Sequence, residues 1–200
     1  MKKSILILAM TAASVSLFAQ ENEATEKIKY SNITEFGIIA TNPKGACLEA
    51  TTIQGISINK QHLLGLGFGF GSIFYSTINT NPYDDYTYYN TTSTLCMPMF
   101  VNYRYYFKPD KPFSPHVNTA VGGLWMEDGE GVYSSITMGF RTGKFSFASG
   151  FSFMAINQEI DRGYWLNVEG PYGCYSYYQP DLKKEWRYPF GITLKVGFSF

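Results

Sequence analysis

From Trp186 to the last residue, every even position of this chain is large and apolar or aromatic: Trp186, Tyr188, Phe190, Ile192, Leu194, Val196, Phe198 and Phe200. The odd positions between them carry Arg187, Pro189, Gly191, Thr193, Lys195, Gly197 and Ser199. Side chains two apart share one face of a strand, so the segment reads as a strand with one apolar face, whereas a helix would mix the two sets. The same alternation places Leu64, Leu66, Phe68, Phe70 and Phe74 opposite Gly65, Gly67, Gly69 and Gly71. It recurs with Leu95, Met97, Met99, Val101, Tyr103, Tyr105 and Phe107 opposite Cys96, Pro98, Phe100, Asn102, Arg104 and Tyr106. Phe100 is the exception on that second face.

Weaker segments follow the same rule. Residues 31–40 set Phe36, Ile38 and Ala40 against Glu35 and Gly37, and residues 46–58 set Leu48, Ala50, Ile56 and Ile58 against Glu49, Thr51 and Ser57. Gln54 falls on the apolar face. Residues 116–126 give Val117, Val121 and Trp125 against His116, Asn118 and Gly122. Residues 132–141 give Val132, Ile136, Met138 and Phe140 against Tyr133, Thr137 and Arg141, and residues 145–157 give Phe145, Phe147, Phe151 and Phe153 against Ser146, Ala148, Gly150 and Ser152. The count is eight strands, and the predicted fold class is an all-β, eight-stranded antiparallel up-and-down transmembrane β-barrel.

No window after Gln20 approaches the ~18 consecutive apolar residues of a helical span. A closed barrel is the other structure that satisfies every backbone polar group in lipid, and apolar outer faces of Leu, Phe, Met, Val and Tyr suit it. A secreted sandwich or lipocalin-like barrel would instead carry polar outer faces. Connections fall into two sets. Asn59–His62, Lys108–Pro115 and Arg141–Lys144 are short or contain proline, and are expected to face the periplasm. Thr41–Gly45, Asn79–Thr94, Glu127–Gly131 and Glu159–Glu185 alternate with them, and two of these are long. An even strand count leaves both chain ends on one side.

The N-terminus adds an address. Lys2 and Lys3, the apolar run Ile5–Met10 and the stretch ending at Ala19 have the order of a secretory signal peptide, residues 1–19, with 20–30 a short periplasmic segment and 31–200 the barrel. No cysteine stands just after the cleavage point, where lipid anchoring would need one. Composition agrees: 18% aromatic, 16% charged and 19 glycines make a chain rich in strand formers and short of charge for a water-facing surface. Sixteen basic residues balance sixteen acidic ones, which argues against nucleic acid as a partner, since phosphate binding needs a concentrated basic surface.

The terminal Gly197-Phe198-Ser199-Phe200, with aromatics at the last and third-from-last positions, together with the leader and the alternation over 31–200, resembles the small eight-stranded outer-membrane β-barrel family of Gram-negative bacteria, the OmpA/OmpX type. In that family such a terminus is read by the barrel assembly machinery. The resemblance therefore implies Phe198 and Phe200 as an assembly signal, and the cell outer membrane as location. Lys195 stands where the family often has glycine.

Tyr103, Tyr105, Phe107, Trp125, Trp186 and Tyr188 near strand ends are expected in girdles at the headgroup levels. Tyr83, Tyr86, Tyr88 and Tyr89 in one long outer loop, and Tyr164, Trp165, Tyr175, Tyr177 and Tyr178 in another, are the candidate interaction residues, since Tyr and Trp contribute large contact area at low entropy cost. Glu35, Glu49, Arg104, Arg141, Arg187 and Lys195 fall on the lumen face. A barrel of eight strands is just wide enough for side chains to fill, so these charges must pair. The expected pairs are Glu35 with Lys195, near Arg104, and Glu49 with Arg187.

Enzymatic chemistry finds little support: His62 and His116 lie in or beside short turns without a Ser-acid partner set. Cofactors are not expected, and no metal-ligand spacing occurs. Cys47, Cys96 and Cys174 allow three single disulfides, among them Cys47 with Cys96. Two functions are in view: a surface protein presenting aromatic loops to an unknown ligand or protein, with outer-membrane lipid and the assembly machinery as further partners, and a narrow channel or transport protein for small solutes.

Overall fold

Strand-forming alternation becomes eleven strands in the computed structural model, which describes residues 28–42, 45–80, 87–127, 129–161, 164–170 and 173–200; for residues 75–80, 87–92, 160–161, 164–170 and 173–178 it describes the backbone alone. They are β1 (Ile28–Asn42), β2 (Gly45–Ile58), β3 (His62–Thr80), β4 (Thr87–Tyr106), β5 (Phe113–Met126), β6 (Gly129–Thr142), β7 (Phe145–Asp161), β8 (Tyr164–Gly170), β9 (Gly173–Gln179), β10 (Leu182–Arg187) and β11 (Phe190–Ser199). Each of β1–β6 pairs antiparallel with its successor, β6 pairs with β7, β7 with β11, and β11 with β1, which closes a ring of eight. β8 and β9 form a separate two-stranded ribbon.

Closure leaves a measurable stagger. Starting at Arg104 and following register partners through Asn118, Thr137, Gly150, Thr193, Ile39, Cys47 and Ile73 returns to β4 at Thr94, a shift of ten residues (104 − 94). That shear tilts the strands by about 40° and leaves an interior that side chains can fill.

Several boundaries differ from expectation. β1 begins at Ile28, so residues 28–30, assigned from sequence to the N-terminal segment, belong to the barrel, where they pair with Ile56–Ile58. The closing strand is two strands in one register. Arg187 pairs with Ile156 and Phe190 with Phe153, sums that agree at 343 (187 + 156, 190 + 153), so no residue is inserted. The ladder breaks because Pro189 has no amide hydrogen, although its carbonyl still accepts from Met154 N at 2.9 Å. Pro98 acts similarly inside β4, where the β3–β4 pairing skips from Phe68↔Met99 to Gly71↔Cys96.

The two long connections contain more strand than expected. β3 and β4 stay paired to Thr80↔Thr87, so Tyr88 and Tyr89 are strand residues opposite Asn79 and Ile78. Thr, Tyr and Ile favour extended backbone, which lets this ribbon continue beyond the apolar belt. Tyr164 and Trp165 lie on β8, and Tyr175, Tyr177 and Tyr178 on β9, paired Trp165↔Tyr178 and Leu166↔Tyr177. Tyr83 and Tyr86, the side chains of these other loop aromatics and of Cys174, and the leader all lie outside the described residues.

The short connections are tight turns. Asn59 and Lys60 both have positive φ (52° and 58°), and Gln61 N donates to Ile58 O at 3.1 Å, a type I′ hairpin turn whose twist matches the flanking strands. Gly143, at φ 58°, makes the turn between β6 and β7.

Burial is inside out relative to a water-soluble protein. Leu66, Met138 and Leu95 are 65%, 65% and 68% exposed on the outer face, while Arg104 and Glu35 are 0% and 3% exposed inside. Exposed large apolar side chains come from all eight ring strands. Along β4 the belt runs from Leu95 to Phe107, a height of about 30 Å once the tilt is included.

Candidate functional site

Glycine positions on the inner face decide which charges meet. Gly37 on β1 is the register partner of both Lys195 on β11 and Glu49 on β2. A Cβ at Gly37 would stand 2.9 Å from Cγ and Oε1 of Glu49. With no side chain between them, Lys195 Nζ reaches Glu49 Oε1 at 2.6 Å. Lys195 Nζ also lies 3.9 Å from Glu35 Oε2 and donates to the Tyr133 hydroxyl at 3.2 Å.

Glu35 faces the lumen from β1 beside Gly197, whose own missing side chain leaves room for the Glu35 carboxylate and Ser146. Its Oε1 accepts a charge-assisted hydrogen bond from Arg104 Nη2 on β4. Arg104 Nε points to Asn118 Oδ1 at 3.4 Å, Asn102 Nδ2 donates to the same oxygen at 2.7 Å, and Asn118 Nδ2 points to Thr137 Oγ1 at 3.4 Å. Two acids and two bases thus form one buried chain, Glu49–Lys195–Glu35–Arg104, extended by amides. Each ion would be costly alone in this setting; together they neutralise one another.

The expected Glu35–Lys195 neighbourhood with Arg104 is present, with Arg104 as the closer partner of Glu35. The expected Glu49–Arg187 pair is not: Glu49 is taken by Lys195. Arg187 lies eight residues before Lys195 on the β10–β11 path (195 − 187), about 26 Å away along the strand. Arg141 is half-buried lower down, where its Nη2 donates to Pro109 O at 2.9 Å and its guanidinium lies 4.4 Å from the Tyr106 ring centroid.

Sequence reasoning did not single out Tyr133, Asn102, Asn118 or Thr137 as network members. Their signal was available, since each occupies an alternate inward position. Around the network lie apolar inward residues: Ile39, Ile73, Leu124, Met154 and Ile156 toward the long connections, Ile33, Ile53, Leu63 and Tyr106 toward the short turns. Phe100 packs 5.6 Å from Tyr133 above Gly67, where a Cβ would collide with the Phe100 ring.

Aromatics ring both ends of the belt. At the short-turn end Phe113–Phe140, Phe145–Phe198 and Tyr105–Phe107 have centroids 5.1 Å apart, and Phe198–Phe200 4.9 Å. Phe200 N donates to Asn32 O at 3.0 Å, which ties the C-terminus to β1. At the other end Trp186 stacks on Tyr188 at 6.5 Å, and Trp125 is exposed on β5. His62 joins the outer girdle, with Nδ1 2.9 Å from the Tyr103 hydroxyl, whereas His116 is buried in the lumen against the Tyr106 ring. Cys47 and Cys96 are both free and buried.

No protein-family model and no curated protein sequence matches this chain. Among solved structures it is similar to a major outer membrane protein from Thermus thermophilus, at 11% identity, over 86% of this chain and 100% of that one, with a TM-score of 0.42. The barrel rests on the strand pairing of this chain itself.

Proposed function

We propose that this chain is a non-enzymatic β-barrel protein of the cell outer membrane, which presents aromatic-rich extracellular segments for surface interaction on a barrel whose lumen is plugged by side chains. The observation that carries this reading is the belt of exposed apolar side chains around a closed ring with buried charges inside. So large an apolar surface is stable only when covered, and a belt about 30 Å high between two aromatic girdles matches a bilayer. The short turns and both barrel termini then face the periplasm, and β8–β9 lies outside the cell. The terminal Phe198 and Phe200 serve the assembly machinery.

The paired charges and the apolar residues on either side of them favour a plug over a conducting path. Small-barrel architecture also leaves variety to the outer segments, where Tyr and Trp concentrate. Membrane fractionation followed by gels of unboiled and boiled protein tests the barrel: a heat-dependent change in mobility is expected, and a soluble protein of unchanged mobility would overturn the reading. Replacing residues 164–179 by a short turn is expected to preserve that mobility change and reduce binding of cells displaying the chain to polysaccharide and protein surfaces. Steady single-channel currents from the unmodified protein would replace the plug with the narrow solute channel.

A further inference from the structure

Below the charge chain, toward the short turns, the lumen holds a second polar group that the network leaves unused. Ser114 and His116 sit two apart on β5 and face inward, 0% and 1% exposed. The register sets Tyr106 beside His116 and Arg141 beside Ser114, so β4, β5 and β6 bring these side chains to one patch. The Tyr106 ring lies 5.5 Å from the His116 ring, with the Arg141 guanidinium 4.4 Å from it. Arg104 stands two residues from Tyr106 on the same face.

Ser114 Oγ and Arg104 Nη1 are buried and have no hydrogen-bond partner among the described residues, and the buried His116 ring beside them meets the Ser114 backbone. Buried polar atoms of this kind are normally paired, so Ser114 Oγ and Arg104 Nη1 on adjacent strands mark a place for a small hydrogen-bonding guest. Arg104 Nη1 can only donate, through two N–H, whereas the Ser114 hydroxyl and the His116 ring can each donate or accept. Charge points the same way. Glu35 and Glu49 are engaged by Arg104 and Lys195, while Arg141 has a carbonyl and an aromatic face as its partners and no Asp or Glu side chain within ion-pair distance among the described residues.

We infer that this lower lumen patch is a binding site for one small monovalent anion, of chloride or formate size, entered from the short-turn end past Arg141. Arg104 Nη1 and Ser114 Oγ donate to the anion, the His116 ring lies beside it, and Arg141 supplies the charge that balances it. Tyr106 forms one wall, with its ring between His116 and Arg141. The narrow interior set by eight strands excludes larger anions.

The test uses the refolded full chain in phospholipid nanodiscs with ¹⁵N-labelled histidine, the two histidines being assigned with His62→Gln. Chloride or formate replaces gluconate at constant ionic strength. The His116 side-chain resonance is expected to shift saturably while His62 stays in place, and Arg141→Gln is expected to raise the half-saturating concentration about tenfold, as loss of a charged hydrogen-bonding partner does. Ser114→Ala should weaken binding by a smaller factor. Heat-dependent gel mobility confirms that each variant is folded, and Arg141→Lys, which keeps the charge, should retain most of the response. A His116 resonance identical in chloride and gluconate would overturn the site and leave water as the occupant. So would a chloride response unchanged in both Arg141→Gln and Ser114→Ala.

Discussion

Lys195 and Glu49 are joined across a strand that contributes nothing between them: their side chains meet at 2.6 Å over Gly37, the register partner of both. An inward alanine at that point would occupy the space of the Glu49 side chain. Gly37→Ala is therefore expected to destabilise the barrel by about 1–3 kcal/mol, the usual cost of overpacking. Urea midpoints followed by tryptophan fluorescence in lipid vesicles measure it. In a Glu49→Ala background the same substitution should cost far less, and an equal cost in both would show that Glu49 is not what Gly37 accommodates.

Glu35 is the centre of the chain of charges, with Arg104 on Oε1 and Lys195 near Oε2. Glu35→Ala leaves Arg104 buried without a carboxylate partner, while Lys195 keeps Glu49, and is expected to cost about 3–5 kcal/mol. Arg104→Met added to it should recover part of that loss. The same urea titrations decide it, and a double variant no more stable than Glu35→Ala would deny the pairing its energetic role.

Gly143 separates conformation from packing. It has φ 58°, and a Cβ placed there meets nothing within 4 Å. Gly143→Ala thus tests backbone strain alone, and a loss of about 1 kcal/mol is expected. No loss at all would mean that the turn relaxes to another geometry.

Cys47 on β2 and Cys96 on β4 have the whole of β3 between them, as Cys47↔Ile73 and Gly71↔Cys96 show. Cys96 Sγ leans over Gly71 and the two thiols share a hydrogen bond, but two strand spacings separate their backbones by about 10 Å, beyond the ~7 Å a disulfide tolerates. Of the three bridges open at the level of sequence, this one is expected to be absent. Mass spectrometry of unreduced, alkylated peptides should find no Cys47–Cys96 link, and finding one would require β2 and β4 to draw together over Gly71.

Much of the barrel was legible in the chain because alternation is local. Phe100 reads as an inward exception, and it is indeed buried, with Gly67 vacating the space its ring fills. Gln54 reads as a polar residue on the apolar face, and there it accepts a hydrogen bond from the Tyr30 hydroxyl at 3.0 Å. Strand ends were less legible. Thr, Asn and Tyr suit both turns and strands, so nothing in residues 87–94 marks where β4 begins, and pairing with β3 decides it.

By itself the sequence determined which side chains face in and which face out, since a period of two follows from the geometry of a single extended backbone. It also determined that Glu35, Glu49, Arg104 and Lys195 share the interior. Only the closed ring decided who meets whom. A lumen contact depends on the accumulated register of every strand between two residues, and the ten-residue stagger is a property of the whole circuit. That sum brings Glu49 to Lys195 instead of Arg187, and Arg104 across the lumen to Glu35.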